Sequence, residues 1–222
     1  MEYPEIEELY SVDDQFLIGA DLLVKPVTSP EQTTTQITFP AKDNWYDVDS
    51  MTAIATKMST KETKSLTVTV ESDIDKIPVY QRGGSIIARK LRLRRSTQMM
   101  TDDPYTLYVA LDNDQKASGI IYMDDENTFD HERKDYYAVA NISVDMNGVI
   151  QCQVDGNDEW IASQPSSARM IERIVIMGLA LAPSNMYADS RPLDFDYSAE
   201  RGVLVIRKPE LSALSTWKIS LA

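Results

Sequence analysis

The sequence predicts a mainly β protein built as two consecutive antiparallel β-sandwiches, and three features point there. Apolar residues recur at every second position in segments spread along the chain. Glycine-containing turn dipeptides stand between them, and 222 residues are enough for two cores. Leu66, Val68 and Val70 alternate with Thr67 and Thr69, Leu107, Val109 and Leu111 repeat the pattern, and Trp217, Ile219 and Leu221 repeat it again. Asn147-Gly148, Asp155-Gly156 and Arg201-Gly202 are the expected hairpin turns. Asn-Gly is the strongest of them, because it suits a two-residue turn with positive φ.

Taken in order, residues 5 to 19 are Glu-rich and read as a short helix, capped by Ser11 or Asp13 and ended at Gly19. Strand signals dominate after residue 20. Within them, Gln81-Arg82-Gly83-Gly84 interrupts two apolar strand fragments. Two glycines in a β pattern mark a bulge, a sharp bend or a close approach of another backbone. The polar stretch 96–104 ends in Pro104, which stops a strand from running through, and a domain boundary is expected there.

Composition narrows the functional classes. With 35 acidic and 22 basic residues the formal charge is −13, and the chain lacks the basic face that phosphate backbones require. No nucleic-acid partner is expected. No run approaches the roughly 18 apolar residues of a membrane span, and no signal segment opens the chain. Cys152 is the only cysteine and His131 the only histidine, which excludes an internal disulfide and His-rich zinc sites. His131 sits in the charge run Asp130-His131-Glu132-Arg133-Lys134 and reads as a surface residue.

Three acidic pairs, Asp13-Asp14, Asp102-Asp103 and Asp124-Asp125, invite comparison with the paired carboxyls of a glycosidase. Adjacent side chains on a strand point to opposite faces, whereas a glycosidase pair converges on one bond from about 5 Å or more apart. Caps and turns explain them better. Asp112-Asn113-Asp114 with Gly119 resembles a calcium loop, but Met123 stands where the bidentate Glu belongs, so a hairpin turn is expected. Lys90, Arg92 and Arg94 form a basic stripe opposite Leu91 and Leu93, either a charged edge strand or a dock for an acidic surface. Asn141-Ile142-Ser143 is an N-glycosylation acceptor sequence. No catalytic, cofactor-binding or metal-ligating residue is assigned. Trp45, Trp160 and Trp217 fit core or turn positions as well as a sugar-binding platform.

The segments are more specific as a series. Tyr3-Pro4, then 12–19 (VDDQFLIG) and 21–27 (DLLVKPV), then Phe39-Pro40, Trp45-Tyr46-Asp47 and 77–84 (IPVYQRGG) resemble, in order and spacing, the end of glycoside hydrolase family 31. The resemblance covers nearly the whole chain, weakening around residues 50 to 65 and 145 to 170. It implies a catalytic (β/α)8 barrel followed by two sandwiches. On that basis residues 1–20 are the closing strand end and helix of the barrel, 21–101 the proximal sandwich and 102–222 the distal one. Family members are retaining α-glycosidases with an Asp nucleophile and an Asp acid/base on the barrel, upstream of these segments. Segments 91–96, 103–111 and 203–209 are similar to the members that trim α-1,3-linked glucose from N-glycans in the endoplasmic-reticulum lumen. That similarity implies three partners: the upstream barrel segment, a β subunit and a glucosylated high-mannose N-glycan. In 122–129 (YMDDENTF), Glu126 occupies the place of the family's usual Gly. The alternative is an autonomous, non-catalytic sandwich that binds carbohydrate or a protein.

Overall fold

The period-two stripes become strands in the computed structural model, which describes residues 2–54 and 64–221. The first seven are β1 (Phe16–Ile18), β2 (Leu22–Val24), β3 (Thr34–Pro40), β4 (Trp45–Asp47), β5 (Ala53–Ile54), β6 (Ser65–Glu71) and β7 (Val79–Arg82). They form a five-stranded sheet in the order β1-β2-β7-β4-β5 and a facing ribbon, β3-β6, all antiparallel. Leu23, Trp45 and Tyr80 from the sheet meet Ile37 and Phe39 from the ribbon in one apolar core. The Tyr80 ring lies edge-on to Phe39 at 4.9 Å, an arrangement that suits the quadrupoles of both rings. Gln15 mimics a neighbouring strand at the free side of β3, donating to the Thr38 carbonyl at 2.7 Å and accepting from its N–H at 2.9 Å.

The helix expected within residues 5 to 19 does not form. A one-turn 3-10 helix at Glu7–Leu9 has no side-chain cap, and Ser11 and Asp13 cap nothing. Phe16 to Ile18 instead pair with β2, and Gly19 (φ 61°) makes the turn between them. Alternating apolar residues thus follow the sheet beside them. Tyr3 and Ile6 join the same core and strap the N-terminal residues to it.

The remaining strands are β8 (Ser85–Arg89), β9 (Tyr105–Ala110), β10 (Ala117–Met123), β11 (Ala138–Val144), β12 (Ile150–Gly156), β13 (Met170–Met177), β14 (Met186–Ala188), β15 (Arg191–Pro192), β16 (Phe195–Ser198), β17 (Val203–Ser212) and β18 (Trp217–Leu221). Two short helices interrupt them, α1 (Asp130–Arg133) and α2 (Asp158–Ser163). Hydrogen bonding links the strands in the order β15-β14-β18-β12-β11-β10-β8-β9-β13-β17-β16. All pairings are antiparallel except β9 with β13 and a single bridge, Ser85 with Ser118, between β8 and β10. At that bridge the sheet folds over. Ile142, Ile150 and Ile219 on one half then pack against Val109, Ile174 and Leu204 on the other, giving the second sandwich.

Sheet membership changes at Gly83–Gly84, within the segment assigned to the first sandwich, and β8 pairs with β9 across the polar stretch 96–104. The paired glycines are therefore the bend that carries the chain from one sheet to the next. Gly83 donates to the Asn44 carbonyl at 2.7 Å and Gly84 to the Ala110 carbonyl at 2.8 Å. A Cβ on Gly83 would lie 2.8 Å from the Leu111 carbonyl oxygen and 2.9 Å from the Asn44 Cβ, while Gly84 has φ +94°. One glycine is required by space and the other by conformation.

Two of the expected turns differ. Gly148 (φ 75°) ends a three-residue loop in which its N–H reaches the Asp145 carbonyl at 2.9 Å, a type I turn with a glycine bulge in place of a two-residue turn. Asp155-Gly156 is not a turn at all: Gly156 closes β12 opposite Ala138, where a Cβ would meet the Tyr137 carbonyl at 2.5 Å. Arg201-Gly202 does join β16 to β17, with Gly202 at φ 63°.

Gly83→Ala is expected to lower stability by about 1–3 kcal/mol, the scale of overpacking against backbone that cannot move aside. Gly84→Val should cost a similar amount through strain at positive φ. Thermal melting of both variants checks this, and an unchanged transition in both would make the glycines incidental.

Candidate functional site

Because β9 is buried on both faces, it ties the two sandwiches together. Leu107 and Val109 point into the second core, while Ala110 on the opposite face joins Val175, Met177 and Val203 against Tyr46 of β4. The Tyr46 hydroxyl donates to the Leu111 carbonyl at 2.7 Å, and burial raises its pKa to about 12, so it remains a donor. Gly178 leaves room for that ring, since a Cβ there would lie 2.0 Å from the hydroxyl. Gln81 completes the seam, donating to the Ser85 hydroxyl and the Tyr108 carbonyl at 3.0 Å each.

Beside the bend, Arg82 fastens the N-terminal strap. Its guanidinium lies 2.9 Å from Glu2 and 3.0 Å from Asp43, and the Tyr3 hydroxyl donates to the same Asp43 carboxylate at 2.9 Å. Burial, reinforced by the Asp43 charge, pushes the Tyr3 pKa far upward. Lys42 and Arg82 both approach the Tyr3 ring, at 4.9 and 5.1 Å from its centroid. Next to this strap lies a pocket of about 210 Å³, bounded by Leu9, Val12, Phe16, Leu17 and Trp45, with Phe16 and Ile18 more than half exposed. The result is an apolar face beside the strap. Arg82 belongs to the conspicuous glycine step, yet its partners Glu2 and Asp43 carry no local signal.

At least one member of each acidic pair does structural work. Asp14 pairs with the buried Lys25, while Asp13 is exposed. Asp103 is buried and takes a bidentate grip from Arg94 at 2.6 to 3.1 Å, which lowers its pKa. Asp102 beside it is exposed. Asp125 accepts the backbone N–H groups of Asn127 and Thr128 and the Thr128 hydroxyl, and these bonds lower its pKa. Asp124 accepts from the Glu126 N–H at 2.8 Å. Asp112 closes the expected turn by accepting from the N–H groups of Asp114 and Lys116 at 2.8 Å each, although that turn joins opposite halves of the folded sheet and is not a hairpin.

Glu126 itself adopts the left-handed conformation, φ 57°, that the family's glycine would take without cost. Its carboxylate is held by Arg169 at 2.9 Å, the Thr101 hydroxyl at 2.9 Å and Lys90 at 3.4 Å. Burial opposes its ionisation, but these partners outweigh it and the pKa falls. The buried Arg169 also donates to the Thr101 and Asp124 carbonyls at 2.6 and 2.8 Å.

The basic stripe is not an edge strand. Residues 90–95 follow the end of β8 as irregular chain, with Lys90 on Glu126, Arg92 on Glu172 and Arg94 on Asp103, and with Leu91 and Leu93 exposed. These bases answer acids within the chain. His131 stands on α1, 3.6 Å from Asp124, and Cys152 is buried in the second core with its pKa raised to about 12. Trp45, Trp160 and Trp217 are all buried, so none offers a face to a sugar. Asn141 is exposed on β11, where its amide donates to Asp155 at 3.0 Å. Among the described residues there is no cluster of three or more His, Cys, Asp or Glu side chains fit for a metal ion, and no helix long and apolar enough to cross a membrane.

Comparison with known proteins defines the class. Residues 1–87 match the family model described as the glycosyl hydrolase family 31 C-terminal domain, and the chain belongs to the C-terminal region of that family. Over 217 residues, 95% of the chain, it is 37% identical to the neutral alpha-glucosidase AB of Dictyostelium discoideum. To the human protein of the same name it is 33% identical across its whole length. The chain spans only 22% and 23% of these two relatives. Among solved structures, a glucosidase II alpha subunit superposes with a TM-score of 0.76 at 28% identity, covering 95% of this chain and 24% of that one. An ER glucosidase II heterodimeric complex, of a catalytic subunit with the binding domain of its regulatory subunit, gives 0.75 at 29% identity over the same shares.

The grip of Arg94 on Asp103 has a pH signature. The native carboxyl titrates below its unfolded counterpart, so its contribution is complete above the unfolded carboxylate range and is lost as pH falls through the native value. In Arg94→Met the melting temperature should be lower at neutral pH and should fall less on acidification. Melting curves across the acidic range check this, and parallel pH profiles for the two proteins would contradict it.

Proposed function

We propose that this chain is the C-terminal buttress of a retaining α-glucosidase that trims α-1,3-linked glucose from N-glycans during glycoprotein quality control in the endoplasmic-reticulum lumen. The observation that carries this reading is the 37% identity, extending over 95% of the chain, with a neutral alpha-glucosidase AB. The two catalytic carboxyls lie on a (β/α)8 barrel upstream of the matched region, and no catalytic residue is assigned within these 222 positions. The strap of Tyr3 and Arg82, with the exposed Phe16 and Ile18 beside it, is the face that meets the barrel. Residues 1–20 then lead from the barrel into the proximal unit, whose sheet takes in β1 and whose core takes in Tyr3 and Ile6, with 21–101 the rest of the proximal unit and 102–222 the distal unit. The exchange of sheets at Gly83–Gly84 makes β8 a strand that the proximal segment lends to the distal sheet. The partners are the barrel segment, the glucosidase II β subunit and, through the barrel, a glucosylated high-mannose N-glycan.

Burial of all three tryptophans weighs against the alternative of an autonomous sugar-binding sandwich. A test separates the readings by comparing the chain alone, the upstream region alone and both co-expressed. Glucose release with retained α configuration is expected only from the combination. Activity in the chain alone, or full activity in the upstream region alone, would overturn the buttress role.

Asn141 is assigned as an N-glycosylation site in that compartment, supported by its exposed side chain on β11. Peptide mass spectrometry of protein from a eukaryotic secretory host should find a glycan on Asn141 that disappears in Ser143→Ala. An unmodified Asn141 peptide would refute the assignment.

A further inference from the structure

The outer face of the second sandwich carries a groove of about 730 Å³ that no part of the proposed activity uses. It opens where the sheet folds between β8 and β10. There Gly119 lets the backbone of Ile86 come so close that a Cβ would lie 2.1 Å from its carbonyl oxygen. Ile87 and Ala88 form one wall, and the outward faces of β10, β11 and β12 form the floor.

Strand register arranges that floor in rows. Ser118, Ser143 and Gln151 lie side by side across the three strands, and Ile120, Asn141 and Gln153 form the next row. Neighbouring strands are about 4.8 Å apart and successive rows about 7 Å, so the polar groups are spaced to meet hydroxyls on one or two pyranose rings. Gln151 donates to Ser143 at 3.2 Å, whereas the side chains of Ser118 and Gln153 have no hydrogen-bond partner among the described residues and are exposed. Ile120 is 69% exposed in the middle of these amides and hydroxyls, an apolar patch for the C–H face of a ring. Tyr122, stacked on Tyr137 at 5.7 Å, is a fixed wall at the end of the floor.

Charge selects the ligand. Among the described residues no Lys or Arg lines the groove, so an anion finds no counterion among them. Among the described residues Asp21 is the one carboxylate in the lining, and the nearby Asp155 is engaged by Asn141. Amides, hydroxyls and one apolar patch without a cation suit a neutral polyhydroxylated ligand.

We propose that this groove is a binding site for a neutral oligosaccharide. The proposal stands on the lining and does not depend on the proposed glucosidase activity. Gln153 and Ser118 are the principal contacts, Gln151 flanks them, and Ile120 carries the ring.

The test uses protein that includes the upstream region, produced without N-glycosylation so that Asn141 is bare. The probe is α-mannobiose, a neutral disaccharide without a glucosidic bond, followed by saturation-transfer NMR and titration. The anionic digalacturonate serves as the counter-probe. Binding of mannobiose is expected, with digalacturonate much weaker. Gln151→Leu combined with Gln153→Leu should weaken mannobiose binding at least about tenfold while melting temperature and hydrolysis of an aryl α-glucoside stay unchanged. Absence of mannobiose binding, equal binding of digalacturonate, or full affinity in the double variant would each overturn the proposal. Should the double variant prove misfolded, Ile120→Thr, a change on the exposed face, is measured in its place against the same outcomes.

Discussion

The contact of Gly83 with Leu111 and Asn44 is the constraint around which the two sandwiches are assembled. The backbone passes from β7 to β8 with hydrogen bonds from Gly83 to the Asn44 carbonyl and from Gly84 to the Ala110 carbonyl, and the Leu111 carbonyl oxygen leaves no space for a side chain on Gly83. Once it does, the Leu111 carbonyl can accept from Tyr46, and the outer face of β9 can bury Ala110 against the first sheet. Both sides of β9 are consequently removed from water. Because β9 is also an interior strand, paired with β8 on one side and β13 on the other, the seam between the two units is closed by both hydrogen bonds and packing.

Electrostatics does the fastening at the periphery. With a formal charge of −13, the chain uses its scarce bases where acids crowd the turns: Arg82 on Glu2 and Asp43, Arg94 on Asp103, and Arg169 with Lys90 on Glu126. The last group shows how a departure from a family pattern is tolerated. Glu126 adopts a left-handed conformation that costs a non-glycine residue on the order of 1 kcal/mol or more, and its carboxylate gains charge-assisted bonds that glycine could not make. The basic stripe that invited an external acidic partner is therefore largely committed to internal ones.

This distribution of work separates support from chemistry. The adjacent aspartates whose carboxyls close turns or clamp arginines have their lone pairs engaged, and the single cysteine is buried with a raised pKa that keeps it a thiol. What the molecule presents outward is an apolar face beside the fastened strap of the first sandwich and, on the second, a polar groove with no Lys or Arg among its described lining residues. The proposed buttress role draws on the first of these features.

Much of the fold was legible in the sequence because alternation at period two is a local property. The stripes at 66–70, 107–111 and 217–221 are strands β6, β9 and β18, with Leu111 just past the end of β9. The glycine step was likewise visible as a backbone demand, and the ordered series of segments carried the family. Partnership was not legible. A strand's hydrogen bonds are made with residues far along the chain, so nothing in 85–89 announced that β8 would leave the first sheet. Nor did residues 11–19 announce that a waiting strand, β2, would draw 16–18 into a hairpin instead of a helix. The groove floor has the same origin: Ile120, Asn141 and Gln153 are separated in sequence and meet only because the registers of β10, β11 and β12 set them side by side. The sequence by itself determined which residues prefer to be strand, turn or glycine, since those preferences are settled by each residue and its immediate neighbours. The tertiary structure alone decided which strands share a sheet and which faces are left to solvent, since burial and register are properties of the packed whole.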